Sequence, residues 1–183
     1  MFCTTSHMGF FDRLFKLAPS GPPNLTAEFP VPTQPVTLVW DTVGNHLNGI
    51  RHGCDVSALA PLGPCQRFRR LGKTRFYCDY LPLGLEMEFC GDQLEGITFM
   101  MSEDKHNPSG PGTAYATPLI NPAGVVLTPT IDADTLTSLF GTFELMDKDE
   151  EEMIGNFSIG DMCYEAEFAP GARLKRLYIY IDQ

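Results

Sequence analysis

Positive charge is scarce in this sequence. Only 13 Lys and Arg stand against 23 Asp and Glu, giving a formal net charge of −10 over 183 residues. A chain this acidic is repelled by a phosphate backbone and by an anionic bilayer, so neither nucleic acid nor membrane is an expected partner. Long apolar runs are missing as well: no stretch of about 18 apolar residues occurs to span a bilayer. The first residues lack the basic opening and long apolar centre of a signal peptide. The six cysteines, Cys3, Cys54, Cys65, Cys78, Cys90 and Cys163, form no C-x-x-C and are spread along the chain. The expectation is a cytoplasmic protein with reduced thiols, in which the N-x-S/T matches at Asn24 and Asn156 carry no glycan and Met8 is a second plausible start.

Catalytic motifs are equally few. Gly72-Lys73-Thr74 ends like a phosphate-binding loop, but Arg67 stands where the earlier glycine is required, so the backbone cradle is absent. There is no G-x-S-x-G and no H-E-x-x-H. His7, His46, His52 and His106 have no metal-ligand spacing with one another or with the cysteines. Cys54, with His52 and His46 nearby in sequence, is a nucleophile–base arrangement, whose plainer reading is a small buried thiol beside a loop histidine. No enzymatic activity, cofactor or metal is expected.

Pattern is what the chain has instead. Phe10, Phe11, Leu14, Phe15 and Leu17 make a helical stripe over Met8–Leu17, which would dock on the protein's own core or on a partner. Residues 1–35 are read as this helix followed by an extended arm rich in proline, from Pro19 to Pro35. From Val36 the chain repeats itself, residues 36–102 in one copy and 115–183 in the other, with a polar, turn-rich linker over 103–114. Leu85-Glu86-Met87-Glu88-Phe89 sets beside Tyr164-Glu165-Ala166-Glu167-Phe168. After a turn in each copy, Leu94, Ile97 and Phe99 set beside Leu174, Leu177 and Ile179. Upstream, short segments of helical spacing begin at Asp55 and at Asp132 or Asp134, and stop at Gly63 and Gly141. Strict alternation predicts strands over Leu83–Phe89 and Met162–Phe168, and further strands are read at Val36–Trp40, Arg75–Tyr80 and Leu177–Ile181. Each copy reads as strand, short helix and three-stranded meander. The predicted class is α+β: two tandem helix-plus-antiparallel-meander repeats forming a sheet with helices on one face.

Over about residues 36–183 this order resembles the tandem architecture of the β-lactamase inhibitor protein and of small outer-membrane assembly lipoproteins. No lipobox accompanies it, and no cysteine pair lies inside each copy. The resemblance implies a binding module. In size and acidity the chain is also similar to cytosolic immunity proteins that neutralise bacterial polymorphic toxins, which implies a bacterial source and a toxin domain as partner.

Charge layout narrows the candidate site. Arg67, Arg69, Arg70, Lys73 and Arg75 follow the first helical segment with no acid among them. At the matching place in the second copy stand Glu144, Asp147, Asp149, Glu150, Glu151 and Glu152, against Lys148 alone. Each segment reads either as a solvated loop, as an internal counter-charge to the other, or as a contact for a partner. The pairs Glu86/Glu88 and Glu165/Glu167 have the spacing for acid–base work but match a solvated sheet face better. Such a face, with Tyr178 and Tyr180, suits a protein interface. The candidate partner-binding residues are therefore Asp147, Asp149, Glu150, Glu151, Glu152, Glu165, Glu167, Tyr178 and Tyr180. The function expected is that of a non-enzymatic inhibitor, most concretely an immunity protein that occludes a basic toxin domain. The alternative is a scaffold protein docking to a larger assembly through its N-terminal helix. The oligomeric state is left open.

Overall fold

The computed structural model describes residues 23–103 and 114–182. The predicted helix Met8–Leu17, nearly all of the linker and the candidates His7 and His106 lie outside them. No helix among the described residues is long and apolar enough to cross a membrane.

Three short strands come first: β1 (Val39–Asp41), β2 (His46–Leu47) and β3 (Ile50–Arg51). A 3-10 helix, Val56–Leu62, follows, its first turn closed by the Asp55 carboxylate accepting from Ser57 N at 2.8 Å. Pro61 inside it has no N–H to give an α-helical bond, which keeps the segment short. Then come β4 (Arg67–Leu71), β5 (Arg75–Tyr80), β6 (Leu85–Cys90) and β7 (Gln93–Met100) as an antiparallel meander, with a 3-10 turn at Leu81–Leu83. The second half has β8 (Leu119–Asn121), β9 (Val125–Val126) and the helix α1 (Ala133–Phe140). Asp132, rather than Asp134, caps α1, accepting from Thr135 N at 2.8 Å, and Gly141 at φ +89° ends it. A second meander closes the chain: β10 (Thr142–Lys148), β11 (Met153–Ile159), β12 (Met162–Ala169) and β13 (Arg173–Ile181).

The protein is mostly β, and this corrects the α+β expectation. Instead of helix-plus-meander repeats on one sheet, the described residues form two sheets with little helix between them. Strand content was underestimated because both charged stretches, read as connections, are strands: Arg67–Leu71 and Thr142–Lys148 each pair with the strand that follows. Charged side chains on a terminal strand keep contact with water on one face, so the composition of a loop and of an edge strand is alike. The strand expected at Val36–Trp40 also goes elsewhere. It contributes β1, which pairs antiparallel with β2 and parallel with β8, in a small sheet ordered β3-β2-β1-β8-β9.

The large sheet is ordered β10-β11-β12-β13-β7-β6-β5-β4. The two meanders meet at its centre, where Ile97 lies opposite Ile179 and Phe99 opposite Leu177. Both inner hairpins break register at the corresponding place. Glu88 and Phe89 face Gly96 and Leu94, so Glu95 bulges out; Glu167 and Phe168 face Arg176 and Leu174, so Lys175 bulges out. One face of this sheet is the core. Met87, Phe89, Ile97, Phe99, Tyr164 and Leu177 are buried there beneath the small sheet and α1. Trp40 from β1 meets Tyr164 edge-on at 6.2 Å and Phe140 from α1 stacks on the same ring at 4.3 Å. The opposite face of the sheet, free of the core, carries the charged residues.

Part of the proline-rich arm is fastened to this body. The buried Thr26 hydroxyl accepts from Cys65 N at 2.8 Å, and Asn24 Nδ2 donates to Cys65 O at 3.2 Å.

Candidate functional site

The sheet order separates the two charged segments. β4 is one terminal strand and β10 the other, so basic and acidic segments lie seven strand spacings apart, roughly 30 Å. They do not neutralise each other.

At the basic end Arg67, Arg69 and Arg75 are paired locally, while Arg70 and Lys73 are exposed. Alternation turns Arg67 and Arg69 to the outer face, level with Asp79 and Tyr77 on β5. Asp79 is almost fully buried and accepts from both: Arg69 grips it through Nε at 2.9 Å and Nη2 at 3.0 Å, and Arg67 Nε pairs with it too. Arg69 also pairs with Glu86 and lies 4.6 Å over the Tyr77 ring. Arg75 reaches Glu88 at 3.1 Å and Glu95 at 3.4 Å. Burial pushes the Glu86 carboxyl above its ordinary range, with Arg69 opposing. The Glu86/Glu88 pair therefore serves as counter-charge to arginines. Tyr77 and Tyr178 both donate to Glu88, at 3.3 and 3.1 Å. Tyr178 stacks on Tyr180 at 5.1 Å and lies over Gly96, where a methyl group would overlap its ring. The tyrosines are half-buried and held in place.

The acidic end is built differently. Asp147 stands on β10 in the cross-strand row Asp147, Ile154, Glu167 and Arg176. Asp149 shapes the turn between β10 and β11, its carboxylate accepting from Glu151 N at 2.7 Å and Glu152 N at 2.8 Å. Asp147, Asp149, Glu150 and Glu151 are exposed. Glu152 is drawn inward: Lys175 Nζ donates to it at 3.0 Å and holds its carboxyl below the ordinary range. Lys175 also pairs with Glu167, which Arg176 grips from the other side at 2.5 Å. Glu167 is buried, and burial raises its carboxyl against the pull of those cations. Glu165 is half-buried, 3.8 Å from Arg176. Of the nine candidates, the structure thus groups Asp147, Asp149, Glu150 and Glu151 as an exposed acidic hairpin. Glu165, Tyr178 and Tyr180 lie half-buried on the adjoining face, and Glu167 is enclosed. Between the hairpin and the β12–β13 turn lies an open cleft of about 190 Å³, rimmed by Asp149, Glu150 and Glu152 over Met153, Phe168 and Pro170.

Two residues missed in the sequence complete this end. Leu145 and Met146 on β10 are 51% and 57% exposed. The signal was present as the alternation of Phe143 and Leu145 with Thr142 and Glu144, hidden by the acids that follow. The remaining nucleophile candidate lacks activation: burial pushes the Cys54 thiol up and His52 down, and His52 Nε2 donates to Ile179 O at 3.1 Å.

The chain matches no family model, no curated protein and no solved structure in comparisons with each. The reading of function therefore rests on this geometry.

Proposed function

We propose that this protein is a non-enzymatic inhibitor that occludes a basic protein domain, in the manner of a cytosolic immunity protein against a toxin. One observation carries the reading: the acidic hairpin at the end of the sheet stays exposed, while three of the five cations of the basic segment, Arg67, Arg69 and Arg75, are matched by Asp79, Glu86, Glu88 and Glu95. The net charge of −10 is thus expressed asymmetrically, and a positive partner is steered toward one edge. Affinity would come from the apolar groups beside the acids, Leu145 and Met146, and from the rigid tyrosine pair. Inhibition would be steric, the sheet edge covering the partner's basic cleft.

The test begins by isolating the partner bound to the protein in its native cell and measuring association by stopped flow. Replacing Glu144, Asp147 and Glu150 with Lys should slow association about tenfold or more at low salt and remove its salt dependence. An unchanged on-rate removes the steering role. A captured partner without a basic surface removes the reading itself.

A further inference from the structure

We infer that β10 is a docking strand: a partner adds an extended, basic segment to the outer edge of the large sheet. This rests on the inhibitor reading and specifies how its partner is held. β10 is the last strand in the sheet order, paired on one side with β11, and no described strand pairs with its other side. An open row of backbone donors and acceptors is a template for a further strand.

Edge strands are ordinarily blunted, and the opposite edge shows how. β4 carries Arg67, Arg69 and Arg70. Leu71 at the end of β4 is exposed too, but β10, with Glu144, Asp147 and Lys148 as its charges, presents two adjacent apolar side chains, Leu145 and Met146, to solvent. Its register breaks between Leu145 and Asp147, leaving Met146 without a partner across from it. The regular ladder is thus Thr142–Leu145, where Phe143 lies over Gly155 and packs on Phe157 at 5.1 Å. Glu144 and Asp147 point to the outer face, in rows with Asn156 and Ile154; Phe143 and Leu145 point to the other. The complementary strand alternates basic and apolar side chains.

Charge selects this occupant over a second copy. Pairing β10 with itself would bring the Glu144 and Asp147 carboxylates of the two copies together on one face, and like charges opposed across strands repel. Pairing β10 with β4 of another copy is head-to-tail, giving a ring or a filament, and it would call on Arg67 and Arg69, which already pair with Asp79 and Glu86.

The test uses the full chain and two fluorescent peptides, one alternating Lys and Val, the other identical except for a central Pro that cannot donate to a ladder. The first peptide should bind and slow amide hydrogen exchange in Thr142–Leu145. The Pro peptide should bind at least about tenfold more weakly. Leu145→Lys and Met146→Lys, each checked for folding by circular dichroism, should each weaken the first peptide several-fold, on the order of a lost cross-strand contact or more. Equal binding of both peptides, or binding without protection of β10, would mean charge attraction alone and overturns strand addition. The inhibitor reading would stand in that case. No binding at all also overturns it, and capture of the native partner then tests the inhibitor reading separately. Rings or filaments of the unmodified protein that Leu145→Lys dissolves would assign the edge to a second copy and overturn the proposal.

Discussion

The two ends of the large sheet are built from corresponding meanders and treat charge in opposite ways. At the β4 end, four carboxylates converge on three arginines, and Asp79 is sealed beneath them. At the β10 end, Lys175 and Arg176 hold Glu152, Glu165 and Glu167, while the hairpin tip keeps its acids outside. The bulged residue is Glu95 in one hairpin and Lys175 in the other, so each supplies the sign its end is short of. A sheet can thus carry a closed charge network at one edge and an exposed acidic hairpin at the other. Screening keeps them independent, because roughly 30 Å exceeds the Debye length of about 8 Å at physiological salt several-fold.

That contrast is open to direct attack. The largest effect is expected at Asp79. Asp79→Asn leaves Arg67 and Arg69 facing a neutral amide, and urea denaturation should show a loss of about 3 kcal/mol. A loss below about 0.5 kcal/mol would mean that the basic end is not held by its ion pairs. Next come the glycines under aromatic rings. Gly155→Ala should push Phe143 away and loosen β10, and Gly96→Ala should displace Tyr178, each costing about 1–3 kcal/mol. Thermal unfolding checks both, and amide exchange should report the first change at β10 and the second at the sheet centre.

A smaller effect concerns pH. Glu86 and Glu167 are held above the ordinary carboxylate range by burial, so the folded protein binds their protons more tightly than the unfolded chain. Their contribution is fully present at acid pH and is lost as pH rises through the raised folded values. Asp41, Asp55 and Asp132 are held low by turn and cap hydrogen bonds, so their contribution is lost as pH falls. Calorimetry should therefore find the melting temperature rising from pH 7 toward about pH 5 and falling below about pH 4. Glu86→Gln should flatten the rise. Smallest of all, Glu150→Gln at the exposed tip should change stability by less than about 0.5 kcal/mol. A larger loss would make the hairpin a structural element and weaken the contrast between the ends.

Several elements were legible in the residues. Alternation located β5, β6, β12 and β13, and the Asp55 and Asp132 caps with Gly63 and Gly141 framed the two helical segments. The matched runs at Leu85–Phe89 and Tyr164–Phe168 anticipated hairpins that break register at matching positions. The balance of classes was not legible. β4 and β10 were hidden because an edge strand solvated along one side has the composition of a loop. The separate small sheet was hidden because β1 pairs with β8, about eighty residues away, and period alone does not name a partner strand. At the candidate site, the acids of 144–152 were visible by count, but nothing in their spacing told the half-buried Glu152, held by Lys175, from the exposed Glu150.

The sequence by itself determined the net charge, the alternation that makes strands, and the two segments of opposite sign, because these depend on residue identity and near neighbours. Only the tertiary structure decided where that charge acts. Strand order sent the two segments to opposite edges of the sheet. It placed Asp79, Glu86 and Glu88 against the arginines and left the outer edge of β10 without a partner strand among the described residues. A carboxylate's environment depends on which strand lies beside it, and chain order does not fix that neighbour.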